Sequence, residues 1–197
     1  MTRHVSPRRG ALPVFAAIAV ACGGALAASA AFAQSTMPSA TPASGARTAH
    51  ADSSFMKDAA EAGHAEINAA NLALQKGVSA DVKSFAQKML DDHKKAASEL
   101  ETLAASKDVK LPADASMVQK GKAKILEQRD GTSFDHHYAE NQVSAHKDAV
   151  KLFEKASRDA KDPEVKAWAA KTLPTLQHHL QEAQALEKTT KAADKKK

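Results

Sequence analysis

Residues 53–106 read SSFMKDAAEAGHAEINAANLALQKGVSADVKSFAQKMLDDHKKAASELETLAAS, and the spacing of their apolar residues decides the fold. Small and apolar side chains recur at steps of three and four through Met56, Ala60, Gly63, Ile67, Ala70 and Leu74. They do so again through Val82, Phe85, Met89, His93, Ala96, Leu100 and Leu103. That period places each set on one face of an α-helix. Ala, Leu, Glu, Gln and Lys, all good helix formers, dominate, while β-branched and aromatic residues are scattered. Ser53 or Ser54 offers an N-cap for a helix ending at about Lys76, where Gly77 supplies the stop. Ser79 caps a second helix from about Ala80 to Ser106. Val78 and Ser79 alone separate the two, so they fold back as an antiparallel hairpin.

Downstream the pattern repeats with a longer connection. After Leu111-Pro112 an amphipathic segment spans about 113–129 and stops at Asp130-Gly131. Thr132 or Ser133 then caps a third long helix reaching about Ala160, and Asp162-Pro163 opens a fourth that ends near Glu187. The middle segment, about 17 residues long, covers roughly 25 Å as a helix, enough to return the chain along the bundle. The expected fold is all-α: a ferritin-like four-helix bundle, residues 53–187, with a long crossover connection containing a short helix.

The flanks of this domain read differently. Residues 1–33 carry Arg3, Arg8 and Arg9 ahead of an uncharged, Ala-rich stretch that ends Ala31-Phe32-Ala33, the pattern of a signal peptide cleaved before Gln34. Export to the periplasm follows, with no transmembrane span in the mature chain. A lipoprotein anchored at Cys22 is the alternative, but Ala19-Val20-Ala21 lacks the leucine usual before an acylated cysteine. Cys22 is the single cysteine, so cleavage after Ala33 removes thiolate chemistry and disulfides altogether. Residues 34–52, rich in Ser, Thr, Pro and Gly, read as a disordered linker, and residues 188–197, with five lysines, as a disordered tail.

Charge narrows the function. The chain is formally +5, yet residues 51–187 hold 19 basic and 22 acidic groups, so the domain is slightly acidic. Phosphate neutralisation needs a clustered basic face, and nucleic acid is therefore excluded as a partner. No Gly-x-Ser-x-Gly elbow, P-loop or His-Glu-x-x-His is present.

The polar residues that turn inward carry what chemistry remains. A helical wheel puts Glu66 at the edge of the first apolar arc, His93 within the second with Asp92 beside it, Tyr138 and Gln142 inside the third with His146 at its margin, and His179 at the core boundary of the fourth. Glu61 and His64, spaced as Glu-x-x-His, point outward, as does His178. Counting from the hairpin turns sets Glu66 level with His93, and His146 level with His179, to within roughly 5 Å. Glu66, Asp92, His93, His146 and His179 are candidate ligands of a single Zn, Cu or Fe ion, with Tyr138 and Gln142 in an inner polar network. The competing reading is a buried hydrogen-bond network in which Glu66 bonds His93 across the first hairpin.

The segments FMKDAAEAGHAEINAANLA, FAQKMLDDH, VKLP, FDHHYAENQVSAH and KTLPTLQHHLQEA together resemble the bacterial domain of unknown function 4142. The resemblance covers about residues 53–187 and implies an exported, ferritin-like bundle whose recurring polar positions fall here on Glu66, Asp92, His93, Tyr138, His146 and His179. It implies no defined activity. The outer-membrane label attached to that family fits poorly, since an all-helical, Lys-rich domain has no barrel strands. A working di-iron centre would need inward Glu-x-x-His pairs, and the residues three before His93, His146 and His179 are Leu90, Val143 and Leu176. Three functions remain. The first is a non-catalytic envelope protein that binds an unknown envelope protein or small ligand. The second is a periplasmic metal-binding protein with a mononuclear His/carboxylate site, and the third is a redox enzyme. Oligomeric state has no signature in the sequence.

Overall fold

The computed structural model describes residues 48–196. Among them are five α-helices and no strand: α1 His50–Lys76, α2 Ala80–Ser106, α3 Met117–Glu127, α4 Gly131–Asp159 and α5 Pro163–Asp194. The fold is the all-α, ferritin-like bundle, with α3 as the short helix of the crossover. The expected signal segment, 1–33, and residues 34–47 of the expected linker lie outside the described residues.

Side-chain pairs fix the directions of the helices. Asp52 near the start of α1 bonds the backbone just beyond α4, while Lys76 at the end of α1 lies 2.9 Å from Asp130 just ahead of α4. α1 and α4 are therefore antiparallel. Lys88 with Glu182 at 2.6 Å, and Glu99 with Lys171 at 2.9 Å, set α2 antiparallel to α5 in the same way. α2 and α4 must then be parallel, which requires the chain to return between them, and α3 does this along α1 and α4. The crossover helix is capped reciprocally: Ser116 accepts from the Gln119 amide, and the Gln119 side chain accepts from that of Ser116.

Both hairpin turns are locked by a buried aspartate from the opposite hairpin. Asp52, 2% exposed, accepts from the amides of Lys161 and Asp162 at 3.0 and 2.7 Å in the α4–α5 turn. Asp135, also 2% exposed, accepts from Val78 at 3.1 Å and Ser79 at 2.8 Å in the α1–α2 turn. Each carboxylate satisfies two orphan donors at a helix N-terminus, where negative charge is also favoured by the helix dipole. Gly77 makes room for the Asp135 lock. A Cβ there would stand 2.6 Å from the Ala73 carbonyl and 2.9 Å from Val82 Cγ1, so closeness of approach rather than a left-handed φ requires glycine.

Two apolar cores result. Phe55, Met56, Leu100, Phe153, Trp168 and Leu176 fill the end marked by Asp52, with Phe55 and Phe153 edge to face at 5.1 Å. Val82, Phe85, Met89, Phe134, Tyr138 and Leu186 fill the end marked by Asp135. Glu66, His93, Gln142, His146 and His179 form a buried polar layer between them.

Several element boundaries differ from expectation. α1 begins at His50 on an N-cap, Ala49, that makes no side-chain bond, and Ser53 instead turns its hydroxyl back to the His50 carbonyl. Residues 50–52 thus belong to the bundle rather than to the linker. At the other end, the expected disordered tail is helical to Asp194, because Thr190 is buried and Asp194 accepts from the Thr132 hydroxyl. α4 starts at Gly131, with φ 60°, on the N-cap Asp130, ahead of the predicted Thr132 or Ser133.

Candidate metal centre

Three histidines meet in the polar layer, His93 from α2, His146 from α4 and His179 from α5, with ring centroids 5.4 to 5.6 Å apart. All three are buried, and one ring nitrogen of each lies within 4.8 Å of the others. The surrounding hydrogen bonds pick out which nitrogen is free. His146 uses Nδ1 on the Gln142 carbonyl at 3.0 Å and leaves Nε2 without a partner. His179 uses Nε2 on Asp92 Oδ2 at 2.9 Å and leaves Nδ1 without one. His93 Nε2 is likewise buried and unpartnered.

Three converging imidazoles are a donor set suited to a first-row transition metal. A ligating imidazole normally donates its other N–H to a carboxylate or carbonyl, which fixes its tautomer, and His146 and His179 do this already. Metal–nitrogen bonds of about 2.0 Å place donors roughly 3.5 Å apart, so the rings close by up to about an ångström around an ion. Burial also sets the protonation a metal needs. Desolvation, with the neighbouring His146 and His179, pushes His93 down to about 3, and desolvation lowers His179 against the opposing effect of its hydrogen bond to Asp92. Neutral imidazole is the coordinating form.

The predicted carboxylates take other roles. Asp92 stands behind the His179 ring, orienting it, and is not among the converging donors. Glu66 is also outside the converging set. It accepts from Gln142 Nε2 at 2.7 Å across the α1–α4 interface, in place of the expected bond to His93. Burial raises its pKa against the lowering effects of His146 and Gln142. Tyr138, fully buried with an unpartnered hydroxyl, is pushed well above its usual range by desolvation and by Glu66. Gln142 is thus the link between the carboxylate and the histidines. Glu61 and His64 bind no member of this layer, and His64 instead lies 3.3 Å from the Pro112 carbonyl.

One further feature was not read from the sequence, a cavity of about 620 Å³ among α1, α2, α4, α5 and the crossover. Glu66, Gln142, His93 and His146 form part of its wall. Its cause is compositional in retrospect, since Ala59, Ala62, Ala96, Ala97, Ala145 and Ala149 line it with methyl groups where larger side chains would interdigitate.

Comparison with known proteins agrees with this architecture. The family model described as Domain of unknown function (DUF4142) matches residues 37–186. No curated protein matches the chain. Among solved structures, a DUF305 fragment from Deinococcus radiodurans superposes with a TM-score of 0.65 at 13% identity, covering 72% of this chain and 98% of that one. CopM in its Cu(I)-bound and Cu(II)-bound forms superposes with a TM-score of 0.61 at 17% identity, covering 70% of this chain and 96% of CopM. At these identities the likeness is one of fold.

Proposed function

The chain belongs to the DUF4142 family, and from that premise we propose that it is a periplasmic metal-binding protein holding one transition-metal ion on His93, His146 and His179. The observation that carries this reading is the convergence of three buried ring nitrogens with no hydrogen-bond partner in the protein. Buried polar atoms are otherwise almost always paired, and a half-satisfied layer costs more than an apolar one. Copper is the favoured ion among copper, zinc and iron, because nitrogen donors bind it most tightly in the divalent series. The shared fold of copper-bound CopM supports the same choice. With no carboxylate among the converging donors, the site lacks the ligands of an oxygen-activating metal pair, and storage or transfer of the ion is the role that fits.

X-ray absorption of the untagged, chelator-treated chain reloaded with copper tests the ligand set. Three imidazole nitrogens per metal are expected, with one scatterer fewer in His179→Ala. A spectrum dominated by oxygen, or one unchanged by that substitution, rejects the site. The periplasmic half of the reading is checked by the mass of the protein from the native envelope, expected to begin at Gln34 without lipid. No described helix is long and apolar enough to cross a membrane.

A further inference from the structure

The cavity beside the metal centre opens to solvent past Glu101, Lys122 and Asp148, and its volume of about 620 Å³ falls within the size range of small-molecule sites. Most of its wall is apolar, from Leu72, Leu100, Leu152 and Leu176 and the alanines around them. The buried stretch of its polar wall is formed by Glu66, Gln142 and the two histidines, and here Gln142 Oε1 has no partner, while Glu101, Lys122, Asn141 and Asp148 line its exposed side. An occupant must match both surfaces, because an apolar group set against this stretch would leave its polar atoms unsatisfied.

Gly63 supplies an independent sign that the space is kept open. Glycine in a helix interior weakens the helix relative to alanine, and this one lies near the middle of α1 on the cavity wall. A Cβ there would meet no heavy atom within 4 Å. Alanine would fit and strengthen the helix, so packing within the protein gives no reason for glycine. A ligand lying against the α1 backbone does.

We propose that this cavity is a binding site for an uncharged, largely apolar small molecule carrying one amino or hydroxyl head. The head donates a hydrogen bond to Glu66 or Gln142, and the body lies along Gly63 and the leucine-lined wall. At this buried end an anionic head is disfavoured, since it would meet the Glu66 carboxyl group. The site is separate from metal binding in its test, which uses metal-free protein.

Trp168 is the only tryptophan of the chain and lines the cavity, which makes it a built-in reporter. The chelator-treated full chain is titrated with N-phenyl-1-naphthylamine, a neutral apolar amine, while Trp168 emission and energy transfer to the probe are followed. Saturable binding of one probe per chain is expected, with quenching of Trp168. Gly63→Leu fills the open space and is expected to weaken binding at least tenfold while the protein keeps its helical circular dichroism. Gly63→Met serves where leucine does not fold. Glu66→Leu is expected to weaken the amine about tenfold but to change 1-phenylnaphthalene, which lacks a head group, less than twofold. No saturable binding, or unchanged affinity in the Gly63 variant, overturns the proposal. So does an equal effect of Glu66→Leu on both probes, or loss of binding only when Met117, Val118 and Ile125, the exposed apolar residues of α3, are changed to serine. A failed copper test leaves these outcomes untouched.

Discussion

The polar groups at the two hairpin turns and those of the middle layer are equally buried, yet they are treated in opposite ways. Asp52 and Asp135 each receive two backbone amides, so each pairs its carboxylate with donors that would otherwise be orphaned. His93, His146 and His179 each bring a ring nitrogen to a common point and leave it unpaired. Burial alone therefore says little about role in this bundle. Complete pairing marks a structural lock, and convergent incompleteness marks a place held for something the chain does not itself supply.

Breaking a lock gives the steepest loss. Asp135→Ala removes two charge-assisted hydrogen bonds and strands the amides of Val78 and Ser79, and is expected to cost about 2–4 kcal/mol in urea unfolding. The loss should be the same with and without copper. A metal-dependent loss would erase the distinction between the two regions.

Acid should attack the middle layer through its histidines. His93 has its folded pKa lowered to about 3, so the unfolded chain binds the extra proton between roughly pH 6.5 and 3. Unfolding free energy then falls as pH drops through that window, and His179 acts in the same direction. Glu66 opposes this, because its raised pKa lets the folded state take up a proton first and gain stability as pH falls. For the metal-free chain a net loss on the order of 1–3 kcal/mol between pH 7 and 4 is expected. His93→Leu should flatten the curve and Glu66→Gln should steepen it. Identical pH profiles for wild type and His93→Leu would contradict the assignment.

At neutral pH, without metal, His93→Leu is expected to lie within about 1 kcal/mol of wild type, since it replaces an unpaired buried nitrogen by a methyl of similar reach. A loss above about 2 kcal/mol would mean that His93 belongs to a satisfied network after all. The surface gives the least. Lys88→Ala breaks a half-exposed pair with Glu182 and should cost at most about 0.5 kcal/mol, falling further in salt.

The bundle was legible because its helices depend on a local period, and the three histidines were legible because they fall within or at the edge of apolar stripes. The neighbours of each polar residue were not. A helical wheel gives the direction of Glu66 but not which helix lies opposite, and α4 brings Gln142 to it where His93 was expected. Asp92 sat at the edge of its arc, where ligand and orienting partner look alike until α5 is placed. Asp52 and Asp135 went unmarked because acids near helix N-termini are ordinarily solvated, and their burial depends on the opposite hairpin's turn. The segment expected from about 113 begins as a helix only at Met117, because the Ser116-x-x-Gln119 capping box, which the apolar spacing alone did not mark, sets the start of α3. The continuation of α5 past Glu187 was hidden by lysines, since burial there falls on Thr190 alone.

Whether the middle layer holds a metal is tested most directly by thermal unfolding of chelator-treated, untagged protein with copper at a hundred times its dissociation constant. Wild type is expected to gain about 2.7 kcal/mol and Asp135→Ala the same, while His146→Leu gains almost nothing. Equal gains in wild type and His146→Leu, or none in wild type, would contradict a three-histidine metal site.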